Sequence, residues 1–432
     1  MSAELLSILA LILMFVVATM FPVNLGALAL VGAFLVGTLA AGMSTDDILG
    51  AFPGSLFVIL VGVTLLFAIA TNNGTVDWLV RAAVHLVRGR LAAIPPVVFV
   101  ISALLTAVGA PAPAVAAILA PIAFGFAAEY RIHALLIGLM VAHGTQAGAF
   151  SPISVLGGIV NGVAKDAGLP MDYLVLFLAS FAFNAAAALL VFFLFGGREL
   201  IRRGTYVPEA PADDESPGAP AAGGTGGDGG GLRLTAHQAL TLTGIVALCV
   251  AVLAFKLDVG LTAVTVAVVL SLTSPKSDKG AVERVAWPTV LLICGVVTYV
   301  GVLQEIGTVD YVGATVAAIG VPLLVALLIC YVGGVVSAFA STVGILGALV
   351  PLAVPLLSQG TLGPIAMIAA LSVSSAIVDV SPFSTTGALL VANVRGMPRD
   401  DFYRGLLAYG GAIVLAGPLA AWAVLVAPGW LG

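Results

Sequence analysis

Charge is scarce in this 432-residue chain: Lys, Arg, Asp and Glu together make up 9% of it, against about 25% in an ordinary soluble domain. That shortage excludes a fold with a water-facing surface, and no nucleic-acid partner is expected. Cysteine is also sparse. Cys249, Cys294 and Cys330 all fall inside apolar stretches, where free thiols pack as small hydrophobes. An odd, scattered set offers neither a disulfide framework nor a metal site. The histidines stand apart at His85, His133, His143 and His237. No paired aspartates, Ser-His pair or His-Glu zinc motif falls in an apolar stretch, so neither an intramembrane enzyme nor a cofactor is expected.

What fills the chain is hydrophobic sequence, 61% of residues, with 51 glycines. Apolar stretches long enough to span a bilayer recur throughout. Backbone amides in hydrocarbon must be satisfied within their own segment, so these stretches read as helices. Ten spans are expected, at about 4–20, 24–42, 54–73, 134–163, 172–196, 237–255, 258–273, 288–305, 363–394 and 402–428. The first has acidic Glu4 before it and no cleavage site leading to a soluble domain, so it reads as a span and not a signal peptide. Two further stretches, 93–128 and 321–358, are broken in the middle by prolines or polar residues. Each break is too short for an aqueous loop, so each stretch reads as a re-entrant helical hairpin.

Residues 204–232, rich in Gly, Pro, Ala, Asp and Glu, show no hydrophobic periodicity and read as a disordered linker. They separate a first transmembrane repeat, 1–203, from a second, 233–432. Residues 74–90 place Val76, Leu79, Val80, Val84 and Val87 opposite Asp77, Arg81, His85 and Arg88. That is the pattern of an amphipathic helix in the membrane interface.

The halves are copies. Gly74-Thr75-Val76-Asp77-Trp78 recurs as Gly307-Thr308-Val309-Asp310-Tyr311, and Ser151-Pro152-Ile153-Ser154 as Ser381-Pro382-Phe383-Ser384. Pro121 matches Pro351, at the same spacing of 230 residues (351−121) as the serines (381−151). With the N-terminus outside, only Lys165 and Lys256 of the 16 basic residues lie outside, a decided positive-inside bias. Both termini are then external and the linker is cytoplasmic. Five spans per half is an odd number, so the second copy is inverted. The expected fold is therefore all-α and polytopic: two inverted repeats of five spans, each with a re-entrant hairpin and one broken helix. This is the plan of an alternating-access carrier in a bacterial inner membrane.

The broken helices are the expected site. One break runs from His143 through Thr145, Gln146 and Gly148 to Ser151-Pro152. The other runs from Ser374-Ser375 through Asp379 to Ser381-Pro382-Phe383-Ser384-Thr385-Thr386. Proline removes a backbone donor and clashes with the preceding turn. The half-helix after each Ser-Pro directs a positive dipole end and free amides inward, which suits a carboxylate. Thr145, Gln146, Ser151, Pro152, Ser154, Ser381, Pro382, Ser384, Thr385 and Thr386 are the expected substrate contacts. Asp379 is the one acidic residue placed deep in apolar sequence, where a carboxylate is costly and by default functional. It is expected to hold a coupling cation or a proton, with Gly148 and Ser151 as further cation contacts. Its repeat counterpart is Ala149 (379−230), so the halves are not equivalent there. No Lys or Arg falls at the breaks or hairpin tips, which favours cation symport over exchange on a basic site.

Phe21-Pro22-Val23-Asn24-Leu25-Gly26-Ala27-Leu28-Ala29-Leu30, Phe52-Pro53-Gly54-Ser55-Leu56-Phe57, Asn72-Asn73-Gly74-Thr75 and Ser151-Pro152-Ile153-Ser154 resemble bacterial malonate and dicarboxylate carriers of the MatC type. These are members of the ion transporter superfamily, related to the divalent-anion:sodium symporters. The resemblance covers essentially the whole chain. It implies sodium and dicarboxylate bound between two hairpins and two unwound helices, an elevator movement and a homodimer. That family's hairpin tips carry Ser-Asn-Thr ten residues before a proline. The matching positions here are Ser341-Thr342-Val343 and Pro111-Ala112-Pro113. The resemblance thus assigns Ser341 and Thr342 to substrate, and Ser341, with backbone at Pro111 and Ala112, to the cation. Uptake of malonate or a four-carbon dicarboxylate with sodium or protons is the leading expectation. Another anion or oxyanion, or proton-coupled export, stays open.

Overall fold

The computed structural model describes residues 2–76, 78–79, 82, 90–204, 234–275, 279–308, 311, 321–339, 342–358 and 362–431. The expected interfacial helix (74–90) falls mostly outside these residues, and Ser341 and nearly all of the expected linker fall outside them entirely.

The first half builds α1 (Ala3–Met20), α2 (Leu25–Ala40), the short α3 (Thr45–Gly50), α4 (Gly54–Asn72), α5 (Ile94–Ala107), α6 (Ala112–Glu129), α7 (Ala134–Gly148), α8 (Val155–Asp166), α9 (Tyr173–Leu194) and α10 (Gly197–Arg203). The second builds α11 (Ala236–Leu253), α12 (Val259–Thr273), α13 (Trp287–Glu305), α14 (Pro322–Phe339), α15 (Thr342–Ser358), α16 (Pro364–Ile377), α17 (Thr385–Asn393) and α18 (Arg399–Ala421), which runs on as a π-turn through Val426. Among the described residues five helices are long and apolar enough to cross a membrane: α4, α6, α9, α13 and α18 with its extension. The other apolar helices are shorter, and the expected spans 134–163 and 363–394 are each two helices separated by a break. The outer face is apolar: Leu39, Leu272 and Leu415 are 80%, 77% and 70% exposed, as a hydrocarbon environment requires and water does not tolerate over a whole surface.

The sequence repeat reappears as a repeat of elements. Seven helix starts in the first half (3, 25, 54, 112, 134, 155 and 173) recur at 236, 259, 287, 342, 364, 385 and 399. The hairpin tips and half-helices keep a spacing of 230 exactly as the serine motifs do (342−112, 385−155).

Glycines record how the copies meet. A Cβ on Gly26 of α2 would sit 2.0 Å from the Leu291 carbonyl oxygen, and one on Gly295 of α13 would sit 2.0 Å from the Gly26 carbonyl oxygen. The counterparts repeat this contact with partners exchanged: a Cβ on Gly62 of α4 would lie 2.7 Å from Gly260 O, and one on Gly260 of α12 would lie 2.6 Å from Ile59 N. Backbones this close exclude any side chain. Helices α4 and α13 are counterparts and lie antiparallel. Asn72, at the end of α4, bonds Arg284 just before α13, while Gly301 near the end of α13 abuts Ala51 just before α4. At the Asn72 end, Asn24 Nδ2 donates to Pro288 O (2.9 Å) and Gln238 Nε2 to Gly74 O (3.2 Å). At the other end of α13, Ser7 and Thr308 hydroxyls share a hydrogen bond of 2.8 Å. Thus the Gly74-Thr75 and Gly307-Thr308 copies occupy opposite ends of the bundle.

One consequence is measurable. Gly295→Leu is expected to destabilise the fold by about 1–3 kcal/mol through overpacking, lowering the thermal midpoint in detergent. Gly50→Ala, whose added Cβ meets nothing within 4 Å, is the control and should leave the midpoint in place.

Candidate functional site

Each break is closed by its own serines in the same way. Ser154 Oγ donates to Ala149 O and Ser151 O (2.5 and 2.7 Å) and accepts from Gly157 N (3.2 Å). Ser384 Oγ donates to Asp379 O and Ser381 O (2.8 Å each) and accepts from Gly387 N (3.0 Å). Each hydroxyl thus binds carbonyls freed by the break and caps the following half-helix. The third partner is a glycine for a steric reason. A Cβ on Gly157 or Gly387 would fall 1.9 Å from the carbonyl oxygen of Ser151 or Ser381. The repeated unit is therefore Ser-Pro-x-Ser-x-x-Gly, three residues longer than the match from which the site was read. Ser151 Oγ also donates to Ala107 O, tying the first break to the first hairpin.

The breaks and hairpin tips surround one cavity of about 700 Å³. Ala112 and Ala114 from the start of α6, Val155 and Leu156 from α8, Thr342 and Val343 from α15, and Thr385 from α17 all belong to its wall. Four helix N-termini, two from each half, therefore border the same space. Each presents first-turn amides with no acceptor in their own helix and the positive end of a helix dipole.

Gln146 and Asp379 complete the wall across the two halves. Gln146 Nε2 donates to Asp379 Oδ2 (2.6 Å), and Thr386 Oγ1 donates to the same oxygen (2.8 Å). Among the described residues, the buried Gln146 Oε1 has no hydrogen-bond partner. One buried amide oxygen is thus uncommitted beside the Asp379 carboxylate.

Of the residues singled out from the sequence, Pro111, Ala112, Gln146, Ser154, Thr342, Asp379 and Thr385 are in the wall. Thr145, Gly148, Ser151, Pro152, Ser381, Pro382, Ser384 and Thr386 stand behind it. Thr145 Oγ1 donates to its own helix at Ala142 O (2.7 Å), and Gly148 packs where a Cβ would meet Ala103 O at 2.0 Å. His143 is also away from the wall, fully buried, with Nδ1 3.0 Å from Asn184 Oδ1 and Nε2 2.7 Å from Tyr409 Oη. Asn184 Nδ2 donates to Ser180 O (3.0 Å), so its Oδ1 is the acceptor for a proton on His143 Nδ1. The wall also includes Arg284, which lies just before α13 and belongs to neither break nor hairpin tip.

Gly387→Ala is expected to disrupt the second break, because the added methyl meets fixed backbone. Ligand-induced thermal stabilisation should be lost in this variant and in Gly157→Ala, while Gly54→Ala, with nothing within 4 Å of its added Cβ, should keep it.

The fold is similar to the solved structure of the YdaH transporter of Alcanivorax borkumensis, with a TM-score of 0.62 and 14% identity over 92% of this chain and 90% of that one. No curated protein matches the chain in sequence. Over residues 1–149 the chain matches the family model of the dicarboxylate carrier protein MatC N-terminus.

Proposed function

We propose that the chain is a secondary active transporter that takes up small dicarboxylates, malonate or a four-carbon acid, across a bacterial inner membrane with sodium or protons. The observation that carries this reading is the meeting of four helix N-termini at one cavity. Backbone amides and dipole ends bind a carboxylate without a dedicated cationic side chain. The match of residues 1–149 to a dicarboxylate carrier family supports the choice of anion.

The coupling ion follows from electrostatics. Asp379 borders the same cavity. Two like charges about 5 Å apart repel by about 3 kcal/mol at an effective dielectric near 20. A dicarboxylate therefore binds more favourably when a proton neutralises Asp379 or a cation sits between its carboxylate and Gln146 Oε1. Binding of anion and cation is then mutually dependent, which is what symport needs. In this reading Ser151, Ser154, Ser381 and Ser384 act by holding the breaks open, and Thr342 and Thr385 reach the substrate. The antiparallel halves exchange access about the cavity, with the termini outside, the linker inside and two chains forming a homodimer.

Uptake of labelled malonate into proteoliposomes, with and without sodium and proton gradients, tests the reading. Accumulation above the external concentration is expected with one of the gradients. Asp379→Asn keeps an oxygen for Gln146 and Thr386, so it should insert normally but lose gradient-driven accumulation by at least about tenfold, the cost of one lost 1.4 kcal/mol interaction. No flux of any dicarboxylate by the wild type, or normal coupled uptake by Asp379→Asn, would overturn it.

A further inference from the structure

Arg284 belongs to the wall of the cavity that also holds Asp379. The two residues differ in depth: Asp379 is 8% exposed, whereas Arg284 is exposed to solvent. They are the cavity wall's only ionisable side chains among the described residues, a carboxylate at its buried part and a guanidinium at its open part. The guanidinium is held in place, because Arg284 Nη1 donates to Asn72 Oδ1 across the two halves. Among the described residues no carboxylate pairs with it; the ion pair there joins Arg202 and Glu199. Asn24 donates to Pro288 O beside it (2.9 Å), and Asn24, Pro288 and Thr289 share the same wall. A positioned arginine with one nitrogen committed to a neutral amide retains donors in a planar fork that suits a carboxylate.

We infer that Arg284 is a specificity-determining residue that receives one carboxylate of the substrate at the mouth of the cavity, selecting dianions over monoanions. This rests on the dicarboxylate reading above. The helix N-termini offer the inner carboxylate uncharged donors. Arg284 offers the outer one a full charge at the edge where water still reaches, so its contribution is moderate and salt-dependent. A monoanion of the same length gains from the first contact and not from the second. The bond to Asn72 spans the two halves, so the arginine keeps this position only while the ends of α4 and α13 stay together.

The test is calorimetric titration of the purified full-length protein, in detergent, with malonate and with its half-amide. The wild type is expected to prefer malonate. Arg284→Gln should raise the malonate dissociation constant about fivefold to tenfold, the size of one charge-assisted contact in a wet site. It should change half-amide binding little and flatten the salt dependence. Arg284→Lys, which keeps the charge, should retain most of the preference. Equal malonate affinity and undiminished preference in a folded Arg284→Gln protein would overturn the inference and leave the carrier reading standing. A wild type that binds no dicarboxylate would overturn both.

Discussion

A helix interrupted inside a membrane leaves main-chain donors and acceptors without water to satisfy them, and the rest of this structure depends on how that demand is met. Carbonyls at each break go to a serine hydroxyl, with Ser154 serving Ala149 and Ser151 and Ser384 serving Asp379 and Ser381. Those bonds leave the first amides of α8 and α17 pointing onward. The hairpin helices α6 and α15 add two more starts at the same place. The break is thus stabilised on its acceptor side and left open on its donor side, and an open donor side attracts an anion.

The two halves share this frame and differ in what they hang on it. Asp379 stands where the first half has Ala149, and Gln146 stands where the second half has Ala376. The two polar residues do not coincide under the repeat but meet across it, 2.6 Å apart. A carrier with two identical breaks would have two identical sites. Here one carboxylate, held by a glutamine from one half and a threonine from its own, gives a single charge to be balanced. The glycine pairs Gly26–Gly295 and Gly62–Gly260 keep the halves in backbone contact elsewhere in the bundle.

Much of this architecture was legible in the sequence because its causes are local. Proline at 152 and 382 and serine at 154 and 384 announce a break and its cap within a few residues, and the hairpin tips follow from Pro111, Pro113 and the polar run near Thr342. What local chemistry left open was which atoms each hydroxyl would satisfy. Residue type and position mark Ser151, Ser154 and Ser384 as ligands, whereas their hydroxyls donate to carbonyls of the break and of Ala107. A glycine in a glycine-rich chain carries little signal, so Gly157 and Gly387 stand out only through the Ser151 and Ser381 oxygens 1.9 Å from the missing Cβ. Partners far apart in the chain were hidden for a different reason. His143 finds Asn184 and Tyr409, and Arg284 finds Asn72, through packing that no spacing rule expresses.

The central claim is that peptide N–H groups, not side chains, bind the inner carboxylate. Replacing the backbone amide of Thr385 with an ester removes one donor while keeping the threonine side chain. Titration of that protein with malonate should show affinity several-fold below the wild type, with the fold and thermal midpoint retained. Unchanged affinity in the ester-substituted protein would contradict the account.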